Sequence, residues 1–201
     1  MHFRSLYSPA FRFAGYGLLT LVLWGCAALS VPPDSVPSRD SLTDFSLESR
    51  FSLRFEEKNY SGRLSWRHVG LNNELLLSSP FGQGLAEIVS SERGARLTLS
   101  DGKLYEATEV ETLTRQVLGF PLPLVQLTDW VRGRAGAGNV ERDAFGRLQH
   151  LRHEAWKIDY EYENNDLQAP PSRIVVERAG GIELRLRIDE WHSLKPGEVE
   201  P

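Results

Sequence analysis

Phe45-Ser46-Leu47-Glu48-Ser49-Arg50-Phe51-Ser52-Leu53-Arg54-Phe55 puts Phe45, Leu47, Phe51, Leu53 and Phe55 on one parity and Glu48, Arg50 and Arg54 on the other. A period of two with one apolar and one charged side is the signature of a half-buried β-strand. The next segment repeats it with Tyr60, Leu64, Trp66 and His68. Glu74 to Ser78 is less informative, because Leu75-Leu76-Leu77 is apolar on both faces. Leu85 to Val89, Ala95 to Leu99 and Lys103 to Ala107 continue the series, and Asp101-Gly102 marks a hairpin between the last two.

The period then changes. Thr108 followed by Glu111 reads as a capping box, and Val110, Leu113, Val117 and Leu118 form an apolar stripe at helical spacing. Gly119 is placed to end that helix in the left-handed conformation. A second short helix is expected from Leu124 to Arg132, with Leu124, Leu127 and Val131 on its apolar side and Gly133 closing it. Strands return at Val140 to Asp143, Leu148 to Arg152, Trp156 to Tyr162, Arg173 to Arg178 and, beyond Gly180-Gly181, Ile182 to Ile188.

This pattern predicts about 10–11 antiparallel strands with two inserted helices. Each well-patterned strand has one wet face, so a single unclosed, strongly curved sheet (a half-barrel) satisfies them all, with the helices plugging an apolar concave cavity. Two stacked sheets would also hide the apolar faces, but would leave the helices without a place.

Toward the N-terminus the pattern fades. Ala27 to Thr43, with Pro32, Pro33 and Pro37, reads as a flexible tether, in which a weak helix near Ser38 is the most that is expected. Ahead of it, Arg4 and Arg12 precede the apolar run from Ala14 to Leu23, as in a secretory signal peptide. From Ala14 to Leu29 the segment is marginally short for a membrane span of about 20 residues. Leu23-Trp24-Gly25-Cys26 contains the only cysteine and resembles the lipobox of bacterial lipoproteins, in which the cysteine is lipidated and becomes the first residue; Trp24 departs from the small or β-branched residue usual there. Residues 1–25 are therefore read as a lipoprotein signal peptide, 26–43 as lipidated N-terminus and tether, 44–197 as the folded domain and 198–201 as a tail.

The signal segment holds two of the 23 basic residues and none of the 27 acidic ones, leaving the rest at net −6. That balance argues against a nucleic-acid partner and, taken over the whole chain, against binding an anionic surface by charge. Neither a nucleophile elbow, a P-loop nor a zinc-protease motif occurs, and no metal or cofactor is expected. His150 and His153 are three residues apart, on opposite faces of a strand, and read as solvated. Arg50, Arg54, Arg63, Arg67, Arg185 and Arg187 alternate with apolar residues and read as a solvated outer face.

Three segments carry a wider resemblance: Ser78-Ser79-Pro80-Phe81-Gly82-Gln83-Gly84; Leu118-Gly119-Phe120-Pro121-Leu122-Pro123-Leu124 running into Trp130-Val131-Arg132-Gly133; and Trp156-Lys157-Ile158-Asp159-Tyr160 ahead of Pro170-Pro171 and a last strand reaching Trp191. In this order, and following Cys26, they resemble the LolB family of outer-membrane lipoprotein receptors, within the LolA/LolB lipoprotein-localisation proteins. The resemblance implies a half-barrel whose cavity holds lipoprotein acyl chains. It implies no enzymatic activity. The protein would accept cargo from a LolA-type periplasmic carrier and insert it into the inner leaflet of the outer membrane, as a monomer anchored through Cys26 and facing the periplasm. Ala27 after the cysteine agrees with outer-membrane sorting.

Trp66, Val117, Phe120, Leu122, Leu127, Trp156, Tyr160 and Leu184 are the cavity candidates, each equally readable as ordinary core. Trp130 is expected either on the outer side of the lid or beneath it. Phe81, between Pro80 and Gly82, matches the family's protruding loop with an apolar residue used for membrane delivery; the alternative is a ring folded back on the core. Without the resemblance, the residues also allow a membrane-anchored lipoprotein that sequesters another hydrophobic ligand, or a hydrolase with an apolar substrate pocket.

Overall fold

A computed structural model describes residues 36–195; the expected signal peptide, Cys26 and the tail 198–201 lie outside them. The alternating stretch forms strand β1 (Phe45–Phe55), with Phe45, Leu47, Ser49 and Phe51 buried and the other parity facing outward. A meander follows: β2 (Lys58–Val69), β3 (Asn72–Ser78), β4 (Gly84–Ser91), β5 (Gly94–Leu99) and β6 (Leu104–Ala107). Helices α1 (Val110–Leu118) and α2 (Leu124–Val131) come next, and then β7 (Asn139–Arg142), β8 (Leu148–His153), β9 (Trp156–Glu161), β10 (Arg173–Arg178) and β11 (Ile182–Ser193).

All eleven strands join one antiparallel sheet in the order β6-β5-β4-β3-β2-β1-β11-β10-β9-β8-β7. Its centre is the pairing of the first strand with the last, and its two edges, β6 and β7, do not pair with each other. The sheet is unclosed, as the alternation implies. One buried face gathers aromatic and aliphatic side chains from both arms, and α1 and α2 pack onto it. Every strand finds its partners within residues 36–195, so this part carries its own sheet and core.

Three local expectations are corrected. Ordered packing begins ahead of residue 44: Leu42 is fully buried, and near Ser38 there is a single 3-10 turn, Arg39–Ser41. The Thr108/Glu111 capping box does not form, because the N-cap is Glu109, without a side-chain capping bond. Burying Val110 and Leu113 sets the helix frame one residue later than the polar pattern suggests. Gly119 does end α1 with φ 91°, where a side chain would be strained. Finally, β11 runs to Ser193, past the end of its alternation at Ile188. A bulge opposite Glu48/Ser49 leaves Asp189 as the extra residue and changes the inward parity beyond it, bringing Trp191 toward the core.

Candidate functional site

The buried face is closed at one end of the half-barrel and hollow at the other. The hollow is a cavity of about 580 Å³. Phe51 and Leu53 of β1 and Leu184 and Leu186 of β11 form its floor. Leu64, Leu75, Leu77, Ile88 and Leu99 form the wall from β2 to β5. Leu118 of α1, Leu127 of α2 and the intervening Phe120 and Leu122 cover it. Asn59 and Ser61 are polar members of the lining; no carboxylate, ammonium, guanidinium or imidazole is among them. Tyr60 and Leu85, 44% and 39% exposed, also line it and mark its open side. The volume is within the ~300–1,000 Å³ of typical small-molecule sites.

The cover is fixed by its backbone. After Gly119, Phe120 packs on Phe55, with ring centroids 4.9 Å apart. The Thr114 hydroxyl accepts the Leu122 N–H at 2.8 Å and donates to the Glu111 carbonyl at 3.2 Å, pinning the link between the helices.

At the closed end, polar groups tie α2 to the sheet. Asn73 Oδ1 accepts from Trp66 Nε1 at 3.0 Å, lies 2.9 Å from His68 Nδ1, and meets the Thr128 hydroxyl at 3.5 Å. Burial pushes the His68 imidazole below its ordinary value, with the Asn73 bond opposing, so at neutral pH the ring is uncharged. The buried Arg132 guanidinium donates to the Thr128, Leu42 and Thr43 carbonyls and pairs with Asp129 at 2.6 Å. Neither Asn73 nor Arg132 was marked as a site residue by the sequence. The one available signal was that Asn73 shares the inward parity of Leu75 and Leu77.

The candidates thus divide. Phe120, Leu122, Leu127 and Leu184 face the cavity. Trp66, Trp156 and Tyr160 face the closed core instead, and Val117 is half-buried on α1, outside the lining. Trp66 meets the Phe45 edge at 5.6 Å. Trp156 packs on Trp130 at 6.0 Å and under the Arg178 guanidinium at 5.2 Å. Trp130, 2% exposed, is beneath the lid rather than outside it. Tyr160 is buried with no hydrogen-bond partner for its hydroxyl, and burial pushes its pKa far upward. His153 is not simply solvated: its ring lies against Trp130 and its Nδ1 meets the Ala137 carbonyl. His150 lies 2.6 Å from Asp159.

Phe81 is 95% exposed. Its loop, Ser79 to Gln83, is tied within itself. Gly82 N–H donates to the Ser79 carbonyl, Ser79 N–H to the Gln83 carbonyl, and the Ser79 hydroxyl accepts from the Phe81 and Gln83 amides. Pro80 starts the turn and Gly82, at φ 86°, completes it. Leu77 and Leu85, on either side of the loop, both line the cavity, so the tip grows directly out of its wall. At the root of the loop the Ser78 carbonyl lies so close to Gly62 that a Cβ there would be 2.0 Å from it.

Comparison with known proteins places this arrangement. The family model described as Outer membrane lipoprotein LolB matches residues 43–191. An Outer-membrane lipoprotein LolB from Dechloromonas aromatica is 42% identical over 87% of this chain and 94% of its own. Another from Thiobacillus denitrificans is 37% identical over 90% and 98%. Neither is named as an enzyme. A LolA superfamily protein of known crystal structure from Nitrosomonas europaea is similar with TM-score 0.48 and 10% identity, over 76% of this chain and 86% of that one.

Proposed function

The chain belongs to the LolB family of outer-membrane lipoproteins, and on that premise we propose that it is a receptor that takes lipoproteins from a LolA-type periplasmic carrier and inserts them into the inner leaflet of the outer membrane. The acyl chains of the cargo occupy the cavity, and Phe81 leads their transfer into the bilayer. Cys26 carries the lipid that anchors the protein, with the domain facing the periplasm.

One observation carries this reading: an apolar cavity without ionised lining groups opens beside a rigid loop whose tip is an exposed phenyl ring. Each methylene kept from water is worth about 0.8 kcal/mol, so an acyl chain needs such a shelter to cross an aqueous space. Holding a chain requires shape and dryness, not a reactive group. With no nucleotide-binding motif in the sequence to drive transfer, direction follows from differences in affinity between carrier, receptor and bilayer.

The experiment is a handover. Residues 26–201 with Cys26→Ser are mixed with cargo-loaded carrier, and the cargo is followed by affinity capture and then by addition of vesicles. Transfer to this protein and onward to the vesicles is the expected result. Cargo that stays on the carrier overturns the reading and leaves sequestration of another hydrophobic ligand as the use of the cavity.

A further inference from the structure

The outer face of the sheet carries a row of like charges. Arg63 of β2 lies opposite Arg50 of β1, Arg50 opposite Arg187 of β11, and Arg187 opposite Arg173 of β10. Four neighbouring strands therefore present four exposed guanidiniums in line. At ~4.8 Å between strands the row spans roughly 14 Å.

Like charges directly opposed across strands are unfavourable within the sheet, and the chain offsets only some of them. Asp189 holds Arg50 at 2.6 Å and Glu161 holds Arg173 at 2.9 Å. Nearby, Arg54 and Arg185 share the single carboxylate of Glu183. No carboxylate among the described residues lies within ion-pair distance of Arg63 or Arg187. Four of these six guanidiniums thus take up three carboxylates and two stay unpaired, while the exposed Glu48 and Glu190, opposite each other farther along the same face, form no ion pair with the row. An anion laid across the row would relieve the repulsion.

The position of the row indicates which anion. Arg63 stands opposite Ser78, the last residue of β3 before the loop. Phe81 follows Ser78 by three positions, at most ~10 Å of extended chain. The row therefore starts at the root of the loop and runs away from it across the outer face. We propose that the arginine row is a second membrane contact, holding the phosphates of anionic lipid headgroups while Phe81 enters the apolar layer beneath them. The guanidinium fork matches phosphate oxygens two at a time. One ring alone fixes no orientation; a ring and a row of charges meeting one surface fix the tilt of the cavity mouth against the bilayer. Continuity with the loop selects lipid over an acidic protein segment. This rests on the reading of Phe81 as a membrane element.

The test uses residues 26–201 with Cys26→Ser, so that no acyl anchor masks the contact, and sedimentation with vesicles of phosphatidylethanolamine alone or mixed with phosphatidylglycerol. Binding should be stronger to the mixed vesicles and should weaken as salt is raised. Arg63→Gln with Arg187→Gln should lower partitioning onto them roughly twenty-five-fold, at about fivefold per cation removed. Phe81→Glu should weaken binding to both vesicle types. If the double arginine variant binds mixed vesicles as the parent does while Phe81→Glu does not, the row is refuted and the loop reading stands. If Phe81→Glu alone is without effect, the loop reading fails by itself. Equal parent binding to both vesicle types, or none to either, overturns the proposal. Loss of cargo acceptance with unchanged vesicle binding also overturns it, by assigning the row to an acidic protein partner.

Discussion

Replacing Phe81 by glutamate should separate accepting cargo from delivering it. The ring is 95% exposed and the loop beneath it is held by its own backbone and the Ser79 hydroxyl, so the domain loses no packing with it. Stability should change by no more than about 0.5 kcal/mol, as for a surface site. On the membrane side the loss is larger. Withdrawing a phenyl ring from lipid forfeits about 1.5–3 kcal/mol, and at about 1.4 kcal/mol per factor of ten that is roughly a ten- to hundredfold weaker engagement. A carboxylate facing the bilayer adds to the penalty. The assay loads the variant from the carrier, removes the carrier, and follows cargo insertion into vesicles with time. Acceptance should match the parent while insertion slows by one to two orders of magnitude, roughly as that free energy dictates. Phe81→Leu should be mild, because an apolar tip is retained. Parent-like insertion by a fully loaded glutamate variant would refute the reasoning.

Leu184→Glu, a charge in the cavity wall, should reduce cargo capture more than it lowers Tm; equal loss of both, read on one preparation, would make Leu184 plain core. Tyr160→Phe should leave stability unchanged or raise it by about 1 kcal/mol in denaturant titration, since the hydroxyl is buried without a partner. Because burial lowers the His68 pKa, its uncharged state stabilises the fold fully above the unfolded value of ~6.5. That contribution is lost as pH falls through ~6.5 toward the folded value, so Tm should drop on acidification by more in the parent than in His68→Gln. Cys26→Ser should abolish acylation, seen as the loss of lipid mass at the mature N-terminus, and should leave the domain folded.

Alternation read the strands well because each has one wet and one dry face. It could not tell cavity from core, since both lie on the dry face. Leu64 and Trp66 share a parity on β2, yet the first borders the hollow while the second is closed in by Asn73 and Phe45. What divides them is position along the strand relative to the helices, which only the register supplies. For the same reason the sequence leaves Trp156 and Tyr160 open between cavity and core: they belong to β9, in the arm where Trp130 fills the space. Phe81 was legible because Pro80 and Gly82 encode a turn locally, whereas the bonds of Arg132 to Leu42 and Thr43 cross about ninety residues of chain and leave no short-range trace.

The pairing of β1 with β11 has a consequence for how the chain comes into being. The sheet is joined at its middle by its first and last strands, with Arg50 and Asp189 separated by 139 positions. Bringing such distant segments together costs roughly 4 kcal/mol of chain entropy before any contact offsets it. During synthesis and export the first arm must wait with one flank of β1 bare until the final residues arrive. A nascent chain stopped before Ile182 therefore lacks the strand that links the two arms of the sheet, and β1 keeps an open edge on which other chains can pair. The arrival of β11 is the step that makes the sheet continuous from one edge to the other.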